Sequence, residues 1–167
     1  LQKGSFSDRR NLGAKEANGE WLLYIDADER ATNDLREEIE SIVKSQLSKV
    51  RHVAYAIPRR NIVFGKELKY CGLWPDYVKR LFKKDKFRGW TGELHEEPNF
   101  DVDGQVVIGG KGKIGHLESP LTHLKHSNLS EMVDKTNVWS EIEARLMYEA
   151  NHPPMNIPRF LTAMFRE

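Results

Sequence analysis

The sequence predicts an α/β fold with a mixed sheet, and three observations support this prediction. Helix and strand patterns alternate early in the chain, whereas strand patterns cluster later. Residues 21–25 form a continuous apolar run of five, which is typical of a buried central strand in a parallel sheet. Residues 33–48 repeat apolar side chains at spacings of three and four, which predicts an amphipathic helix.

The composition is that of a folded globular domain and excludes several classes of protein. Of the 167 residues, 39% are hydrophobic and 31% are charged, which excludes a disordered chain. The net charge is +1, so no overall field attracts nucleic acid. Cys71 is the single cysteine, which excludes an internal disulfide and favours a reducing, cytoplasmic location. No apolar run approaches the roughly 20 residues of a membrane-spanning helix.

Capping residues delimit the two helices of the first half. The first helix is predicted over residues 7–17, with Ser7 as its N-cap and Asn18-Gly19 as a left-handed stop. The second is expected to be capped by Thr32 or Asn33, whose side chains can accept a hydrogen bond from the first turn.

The second half is predicted to hold short strands followed by a long helix. A capping arrangement at Asn128 and Glu131 precedes the helix, and His152-Pro153-Pro154 ends it. The predicted elements are strands at 53–58, 77–82 and 105–108, a hairpin or loop at 61–70 around Gly65, a hairpin turn at 109–113, and the helix at 130–150.

Two carboxylates separated by one residue follow the apolar run, in the segment Asp26-Ala27-Asp28-Glu29. Carboxylates at the end of a buried strand lie where open α/β sheets bind ligands. Their oxygen atoms suit Mg²⁺ or Mn²⁺. In a reaction that releases a diphosphate from a substrate, such an ion can neutralise the charge of the leaving group. The ordinary alternative is a pair of solvated aspartates in a turn.

Three ordered motifs together resemble the family-two glycosyltransferases of the GT-A fold. They are Phe6-Ser7-Asp8-Arg9-Arg10-Asn11, then Ala17-Asn18-Gly19-Glu20-Trp21 running into Asp26-Ala27-Asp28-Glu29, and later Gly92-Glu93-Leu94-His95-Glu96. The similarity is greatest to the bacterial branch that includes lipopolysaccharide-core glucosyltransferases. It implies a Rossmann-like mixed sheet flanked by helices, incomplete at the N-terminus. Residues 1–150 would form a partial catalytic domain, and residues 151–167 would begin a C-terminal, membrane-proximal segment.

The resemblance implies a metal-dependent, inverting transfer of a hexose from a nucleoside-diphosphate sugar such as UDP-hexose. The acceptor would be a hydroxyl of a glycan, a lipid-linked sugar or a protein. Asp28 is expected to ligate the metal, with Asp26 on the ribose or on a metal-bound water. Arg10 and Asn11 are expected to contact the nucleotide, although both also suit a solvated helix surface.

Two carboxylates are candidates for the base that accepts the proton of the acceptor hydroxyl. Glu96 follows His95 in a motif with no evident packing role, and it is the preferred candidate. Asp76 is the second, because Trp74 and Tyr77 beside it offer faces on which an acceptor sugar can stack. A core or lid position is the competing interpretation of Trp74.

Histidines and a basic stretch complete the candidates. His95 and His126 are expected metal or diphosphate ligands, against the common structural role of a single histidine. Arg80 is a candidate for diphosphate compensation. The lysines around it, Lys79, Lys83, Lys84 and Lys86, are expected either to form a solvated surface or to contact an anionic partner. That partner would be an acidic glycan or the inner face of a membrane.

Two other functional classes remain open on the sequence alone. One is metal-dependent phosphoryl transfer or hydrolysis, which also uses paired aspartates but lacks a recognisable phosphate-binding loop here. The other is a non-catalytic carbohydrate-binding fragment.

Overall fold

The computed structural model describes residues 5–45, 52–70, 72–92, 96–109, 114–153 and 156–159. Strands dominate the middle of this part of the chain, and helices lie towards both of its ends. The elements are α1 (Phe6–Glu16), β1 (Trp21–Leu23), β2 (Glu29–Ala31), α2 (Asn33–Ser45), β3 (Ala54–Val63), β4 (Lys66–Glu67), β5 (Asp76–Lys83), β6 (Phe87–Thr91), β7 (Glu97–Val102), β8 (Gln105–Ile108), β9 (Ile114–His116), β10 (Leu121–His126) and α3 (Leu129–Glu149).

Seven of these strands form a mixed sheet, as the sequence predicts. Its main path is β1-β5-β3-β10-β2, and both β4 and β9 also pair with β3. Strands β9 and β10 run parallel to β3, whereas β5 runs antiparallel to both β3 and β1. Consequently β1, β3 and β10 end at the same edge of the sheet, and β5 and β2 begin there. A separate antiparallel sheet has the order β6-β7-β8.

Two hydrophobic clusters hold the fold together. The first is largely aromatic: the rings of Phe82 and Phe87 stack 5.2 Å apart, and Trp90 meets Phe82 edge-on at 5.5 Å. The second joins α2 to the sheet through Leu35, which is completely buried. Burying a leucine side chain contributes about 1.5–3 kcal/mol, so α2 depends on this contact more than on its intrinsic helix propensity.

Helix α1 begins earlier than its sequence predicts, and the prediction of Ser7 as its N-cap is wrong. Ser5 is the cap: its hydroxyl accepts the backbone N–H of Asp8, and the Asp8 carboxylate accepts the backbone N–H of Ser5. Ser7 lies inside the helix and is buried, with its hydroxyl donating to the carbonyl of Gly92. The helix ends because Ala17 is extended, at φ −65° and ψ 140°, and no left-handed stop is needed.

The first three residues of the apolar run at 21–25 form strand β1, Trp21–Leu23, but it is not the buried central strand of a parallel sheet. Within the described sheet, β1 occupies one end of the path and pairs antiparallel with β5 alone. Trp21 and Tyr24 pack against aromatic side chains, whereas Leu23 and Ile25 are 41% and 44% exposed. A continuous apolar run reports that both faces carry apolar side chains, and it does not report the position of the strand in the sheet.

Several other predicted elements are confirmed. Thr32 caps α2 by accepting the backbone N–H of Leu35. The predicted hairpin is β3-β4, and its turn places Phe64 and Gly65 at positive φ, as such turns require. Asn128 caps α3, accepting the backbone N–H of Glu131. Of the hairpin turn predicted at 109–113, the structure describes Gly109, at φ 69°; the other residues lie outside the described part, and the turn stays a prediction.

The chain divides into two compact units, Leu1–Glu131 and Met132–Glu167. The first contains both sheets and both hydrophobic clusters. In the second, α3 carries exposed apolar side chains such as Val138 and Trp139, and none of its residues is buried. Among the described helices, none has the length and hydropathy needed to cross a bilayer.

Candidate functional site

Polar and charged side chains from α1, from strands β2, β3, β5 and β10 and from two connecting segments converge where β1, β3 and β10 end. The Asp26-Ala27-Asp28 segment lies between β1 and β2, so it passes across this edge of the sheet. Ligand sites of open α/β sheets form at such edges, because side chains from several strands can meet there without filling the core.

Asp26 is held by two arginine side chains. Arg10 of α1 reaches both of its carboxylate oxygens, at 2.8 and 3.1 Å, and Arg80 of β5 donates to Oδ2. Burial is the largest single influence on the pKa of Asp26 and raises it, but Arg80 and Arg10 together outweigh burial and lower the pKa below its ordinary 3.8. Asp26 is therefore ionised and fixed at neutral pH.

Arg80 owes its inward direction to an irregularity in the sheet. The pairing of β3 with β5 shifts between Tyr55 and Ala56, which face Leu81 and Lys79, so Arg80 is the unpaired residue of a bulge. Bulges redirect side chains, and here the guanidinium becomes almost completely buried. There its Nη2 donates to Oε1 of Glu29 at 2.7 Å, whereas its Nε makes no hydrogen bond with the described residues.

Glu29 is a buried carboxylate that joins backbone and side chains of the site. Its side chain is 0% exposed, and its Oε2 accepts the backbone N–H of Asp26 at 3.0 Å. Its Oε1 also lies 3.7 Å from Nη1 of Arg59. Because a buried charge without partners is very unfavourable, these contacts are required for the segment to fold as it does.

Asp76, at the start of β5, accepts hydrogen bonds from side chains of β3. Its Oδ2 accepts hydrogen bonds from Nε and Nη2 of Arg59, at 3.0 and 2.7 Å, and from the amide of Asn61 at 3.0 Å. Register explains the arrangement, since Asp76 is the direct partner of Arg59 in the sheet. A single oxygen of this carboxylate thus carries three donors.

Asp28 faces a histidine that the sequence did not single out. Nε2 of His123 lies 3.6 Å from Oδ2 of Asp28, and the imidazole is buried. Burial, and then the positive charge of Arg59, lower the pKa of His123 below 6.5 against weaker opposing effects of Asp28 and Glu29. His123 is therefore neutral at pH 7, and its contact with Asp28 is not an ion pair.

Helix α1 and the segment before β7 close the other side of the site. Nη1 of Arg10 lies 3.3 Å from Oε2 of Glu96, and its guanidinium carbon lies 4.7 Å from the ring centroid of Trp90. Asn11 is used differently: its amide donates to the carbonyl of Trp90 and accepts the backbone N–H of that residue. Asn11 thus anchors α1 on β6.

We refer to these linked groups as the charged network. Five carboxylates face three guanidinium groups in it, and its histidine is neutral, so the network carries an excess of two negative charges. Its members are Asp26, Asp28, Glu29, Asp76, Glu96, Arg10, Arg59, Arg80, Asn61 and His123.

The structure brings most of the predicted site residues together. Asp26, Asp28, Asp76, Glu96, Arg10 and Arg80 all belong to the charged network, and Asn11 lies beside it. The histidine that meets Asp28 is His123, however, and not the predicted His126. Nδ1 of His126 is buried and makes no hydrogen bond with the described residues. The predicted ligand His95 lies outside the described part.

The two aromatic candidates for acceptor stacking are partly exposed. Trp74 is 38% exposed and precedes a cis peptide bond to Pro75. Tyr77 is 41% exposed, and its ring meets His116 edge-on at 4.8 Å. Both side chains are thus partly exposed on either side of Asp76 in the sequence.

The basic stretch around Arg80 is largely engaged within the protein. Nζ of Lys79 lies 2.5 Å from Glu97, and Nη2 of Arg88 lies 2.7 Å from Asp101. Lys84 donates to the carbonyl of Ala17 at the end of α1. These pairings favour the interpretation as a charged surface and weaken the basis for membrane contact.

Metal binding here would use few protein ligands. Among the described residues, no three His, Cys, Asp or Glu side chains form a group able to hold a metal ion. Asp28 and His123 nevertheless present an oxygen and a nitrogen 3.6 Å apart, and a cation with bonds of about 2.1 Å to each fits between such atoms.

Comparison with known proteins points to one kind of enzyme. The chain is 28% identical over 147 residues to a protein of Rickettsia bellii, covering 87% of this chain and 48% of that protein. It is 27% identical to relatives in Rickettsia prowazekii and Rickettsia felis, each covering 75% of this chain and 42% or 44% of the relative. All three are named as uncharacterized glycosyltransferases.

The chain spans about half the length of the curated relatives that it matches. No model of a known protein family matches it.

Proposed function

We propose that this chain handles the donor in a metal-dependent, inverting glycosyltransferase. A hexose would move from a nucleoside-diphosphate sugar, such as UDP-hexose, to a hydroxyl of a glycan, a lipid-linked sugar or a protein. The observation that carries the proposal is the pairing of Asp28 with a neutral His123 beside an aspartate fixed by two arginines. The similarity to proteins named as glycosyltransferases supports the same reaction class.

Asp28 and His123 are the residues that would hold Mn²⁺ or Mg²⁺. A divalent ion suits the two excess negative charges of the charged network, whereas a bare diphosphate does not. Hard divalent ions are commonly held by one or two protein groups, with water and substrate phosphates as the remaining ligands. The bound ion would neutralise charge that develops on the departing diphosphate.

Asp26 would orient the donor. Its carboxylate keeps free acceptor capacity beyond the two arginine contacts, because a carboxylate has about four lone-pair sites. A ribose hydroxyl can donate to it from the open side, where the side chain is 37% exposed. Arg10 and Arg80 keep this carboxylate ionised and in one orientation, and Asn11 positions the helix that carries Arg10.

Glu96 is the proposed base that accepts the proton of the acceptor hydroxyl. One of its oxygens meets Arg10, and the described contacts leave the other available. Asp76 is the alternative, but three donors already converge on one of its oxygens. Its contacts favour a role in holding β3 and β5 together, near the stacking faces of Trp74 and Tyr77.

Ligand-dependent thermal stability tests the proposal. The thermal unfolding of the chain, and of any longer protein that contains it, is measured with Mn²⁺ and a panel of nucleoside diphosphates and nucleoside-diphosphate sugars. Stabilisation by the nucleotide should require the metal, and it should disappear in Asp28→Ala. At a hundredfold excess over the dissociation constant, binding should stabilise the fold by about 2.7 kcal/mol. The control is Asp134→Ala, which removes an exposed carboxylate of α3.

The competing functions give different results in the same assay. Release of inorganic phosphate without sugar transfer would indicate phosphoryl hydrolysis. Stabilisation by free sugar with no metal dependence would indicate a carbohydrate-binding module. Either result, or the same melting behaviour in Asp28→Ala and wild type with metal and nucleotide present, would overturn the transferase proposal.

A further inference from the structure

Asn61 is a completely buried polar residue at the centre of the charged network, and the proposed reaction gives it no role. It lies on β3, two residues beyond Arg59, the last residue of β3 that pairs with β5. Its side-chain amide reaches three groups: the carbonyl of Leu73 at 3.1 Å, Oδ2 of Asp76 at 3.0 Å and Nδ1 of His123 at 2.6 Å.

The orientation of this amide follows from its partners. A backbone carbonyl and a carboxylate oxygen can only accept hydrogen bonds, so the NH₂ group of Asn61 must face Leu73 and Asp76. The carbonyl oxygen Oδ1 is left to face His123. Arg59 reinforces this choice, because its two hydrogen bonds keep the Asp76 carboxylate in place as an acceptor.

The same logic fixes the proton on His123. Oδ1 of Asn61 has no proton to give, so Nδ1 of the imidazole must donate the hydrogen bond. With its single N–H proton on Nδ1, the imidazole keeps a lone pair on Nε2. That lone pair belongs to the atom 3.6 Å from Oδ2 of Asp28, and two electron-donating atoms thus face each other.

We propose that Asn61 is a positioning residue, which holds His123 as its Nδ1–H tautomer so that Nε2 and Asp28 together ligate a divalent cation. This inference rests on the metal dependence in the proposed function. Partners in the second layer of a metal site commonly set ligand orientation and tautomer in this way.

Other protonation states of His123 fit the site less well. The Nε2–H tautomer would leave Nδ1 and Oδ1 of Asn61 as two acceptors 2.6 Å apart. A doubly protonated ring would satisfy both neighbours, but it would place a cation in a buried position next to Arg59. The Nδ1–H form satisfies Asn61 and leaves Nε2 available for a metal.

Nuclear magnetic resonance of the metal-free protein tests the tautomer directly. The protein is labelled with ¹⁵N-histidine, and long-range proton–nitrogen correlations at pH 7.5 distinguish the three forms of each ring. The His123 signals are identified by their loss in His123→Gln. We expect wild-type His123 as the Nδ1–H tautomer. An Nε2–H or doubly protonated ring in the wild type would overturn the inference. Beyond His123→Gln, which identifies the signals, this measurement depends on no variant.

Manganese then tests the ligand role. Added Mn²⁺ should broaden the His123 ring signals before those of the other histidines, and Asn61→Leu should weaken Mn²⁺ binding about 10- to 100-fold in an electron paramagnetic resonance titration. Asn99→Leu is the matched control, because it removes another buried asparagine, on β7. Its Mn²⁺ affinity should equal that of the wild type.

The outcomes separate this inference from the proposed function. His123 signals that stay sharp at saturating Mn²⁺, or an Asn61→Leu variant that binds Mn²⁺ as the wild type does, would overturn the inference. The expected tautomer and selective broadening in a protein that transfers no sugar would support the inference and count against the transferase.

Discussion

At the scale of single residues, the site is organised around ions that share partners. Arg80 is buried in a bulge, and it contacts Glu29 and Asp26 at once. Glu29 in turn accepts the backbone N–H of Asp26. One buried carboxylate thus fixes both the position and the charge environment of Asp26, the residue proposed to orient the sugar donor. The site is therefore preorganised by its own charges, which favours tight positioning of a polar substrate.

Glu29→Gln tests this dependence. The change keeps the shape of the side chain but leaves buried Arg80 with Asp26 as its remaining carboxylate, so we expect a loss of about 3 kcal/mol in the free energy of unfolding. Urea denaturation followed by circular dichroism measures it. Glu37→Gln, an exposed position on α2, should change stability by less than about 0.5 kcal/mol. Equal stability of the two variants would contradict the role given to Glu29.

The residues of the site were predictable where a motif marks them and hidden elsewhere. Asp26 and Asp28 stand out because paired carboxylates follow an apolar strand. His123 and Asn61 lie within strands whose sequences, Leu121-Thr122-His123-Leu124-Lys125-His126 and its neighbour β3, give no sign that a polar side chain points inward. Their role depends on register between strands distant in sequence, which one chain does not reveal.

At the scale of elements, α1 carries Arg10 into the site, and its start is set by a capping box. The hydroxyl of Ser5 and the carboxylate of Asp8 satisfy each other's backbone N–H groups. The hydrogen bonds from Ser5 lower the pKa of Asp8 below 3.8. Since the helix has almost no apolar face of its own, this cap matters more than it would in a strongly amphipathic helix.

Ser5→Ala should lower the free energy of unfolding by about 1 kcal/mol, because Ala cannot accept the backbone N–H of Asp8. Urea denaturation measures this, and Ser130→Ala, in the first turn of α3, is the control.

The contribution of Asp8 to stability depends on pH. The pKa of Asp8 is lower in the folded than in the unfolded chain, so the contribution is present above 3.8 and is lost as pH falls through the folded value. The stability difference between wild type and Asp8→Ala should therefore shrink on acidification below pH 3.8. A constant difference would contradict this role.

The fold was predictable where periodicity is strong. The pattern of α2 locates it correctly, and its leucine at position 35 is buried as expected. Strands β6 and β7 were missed, because β6 contains Gly89 and β7 contains Pro98 and a buried Asn99, residues that local propensity assigns to loops. Tertiary packing overrides those propensities, since Trp90 and Phe100 belong to the aromatic cluster.

At the scale of the whole molecule, burial is distributed unevenly along the chain. Among the described residues, every buried side chain lies between Ser7 and His123, within the unit Leu1–Glu131. Helix α3 buries none of its 21 residues. Because burial of apolar surface supplies most of the stability of a domain, the first unit contains what it needs to fold cooperatively.

Removing residues 132–167 tests this conclusion. The shortened chain should keep a single cooperative urea transition, with a free energy of unfolding within about 0.5 kcal/mol of the 167-residue chain, because the described residues that it loses include no buried side chain. A chain ending at residue 120 is the control: it also removes β10, with buried Leu121 and His123, and should lose the transition. The near-ultraviolet circular dichroism of the remaining tryptophans follows both. If the chain ending at residue 131 is unfolded, stability depends on α3 in a way that its exposed side chains do not explain.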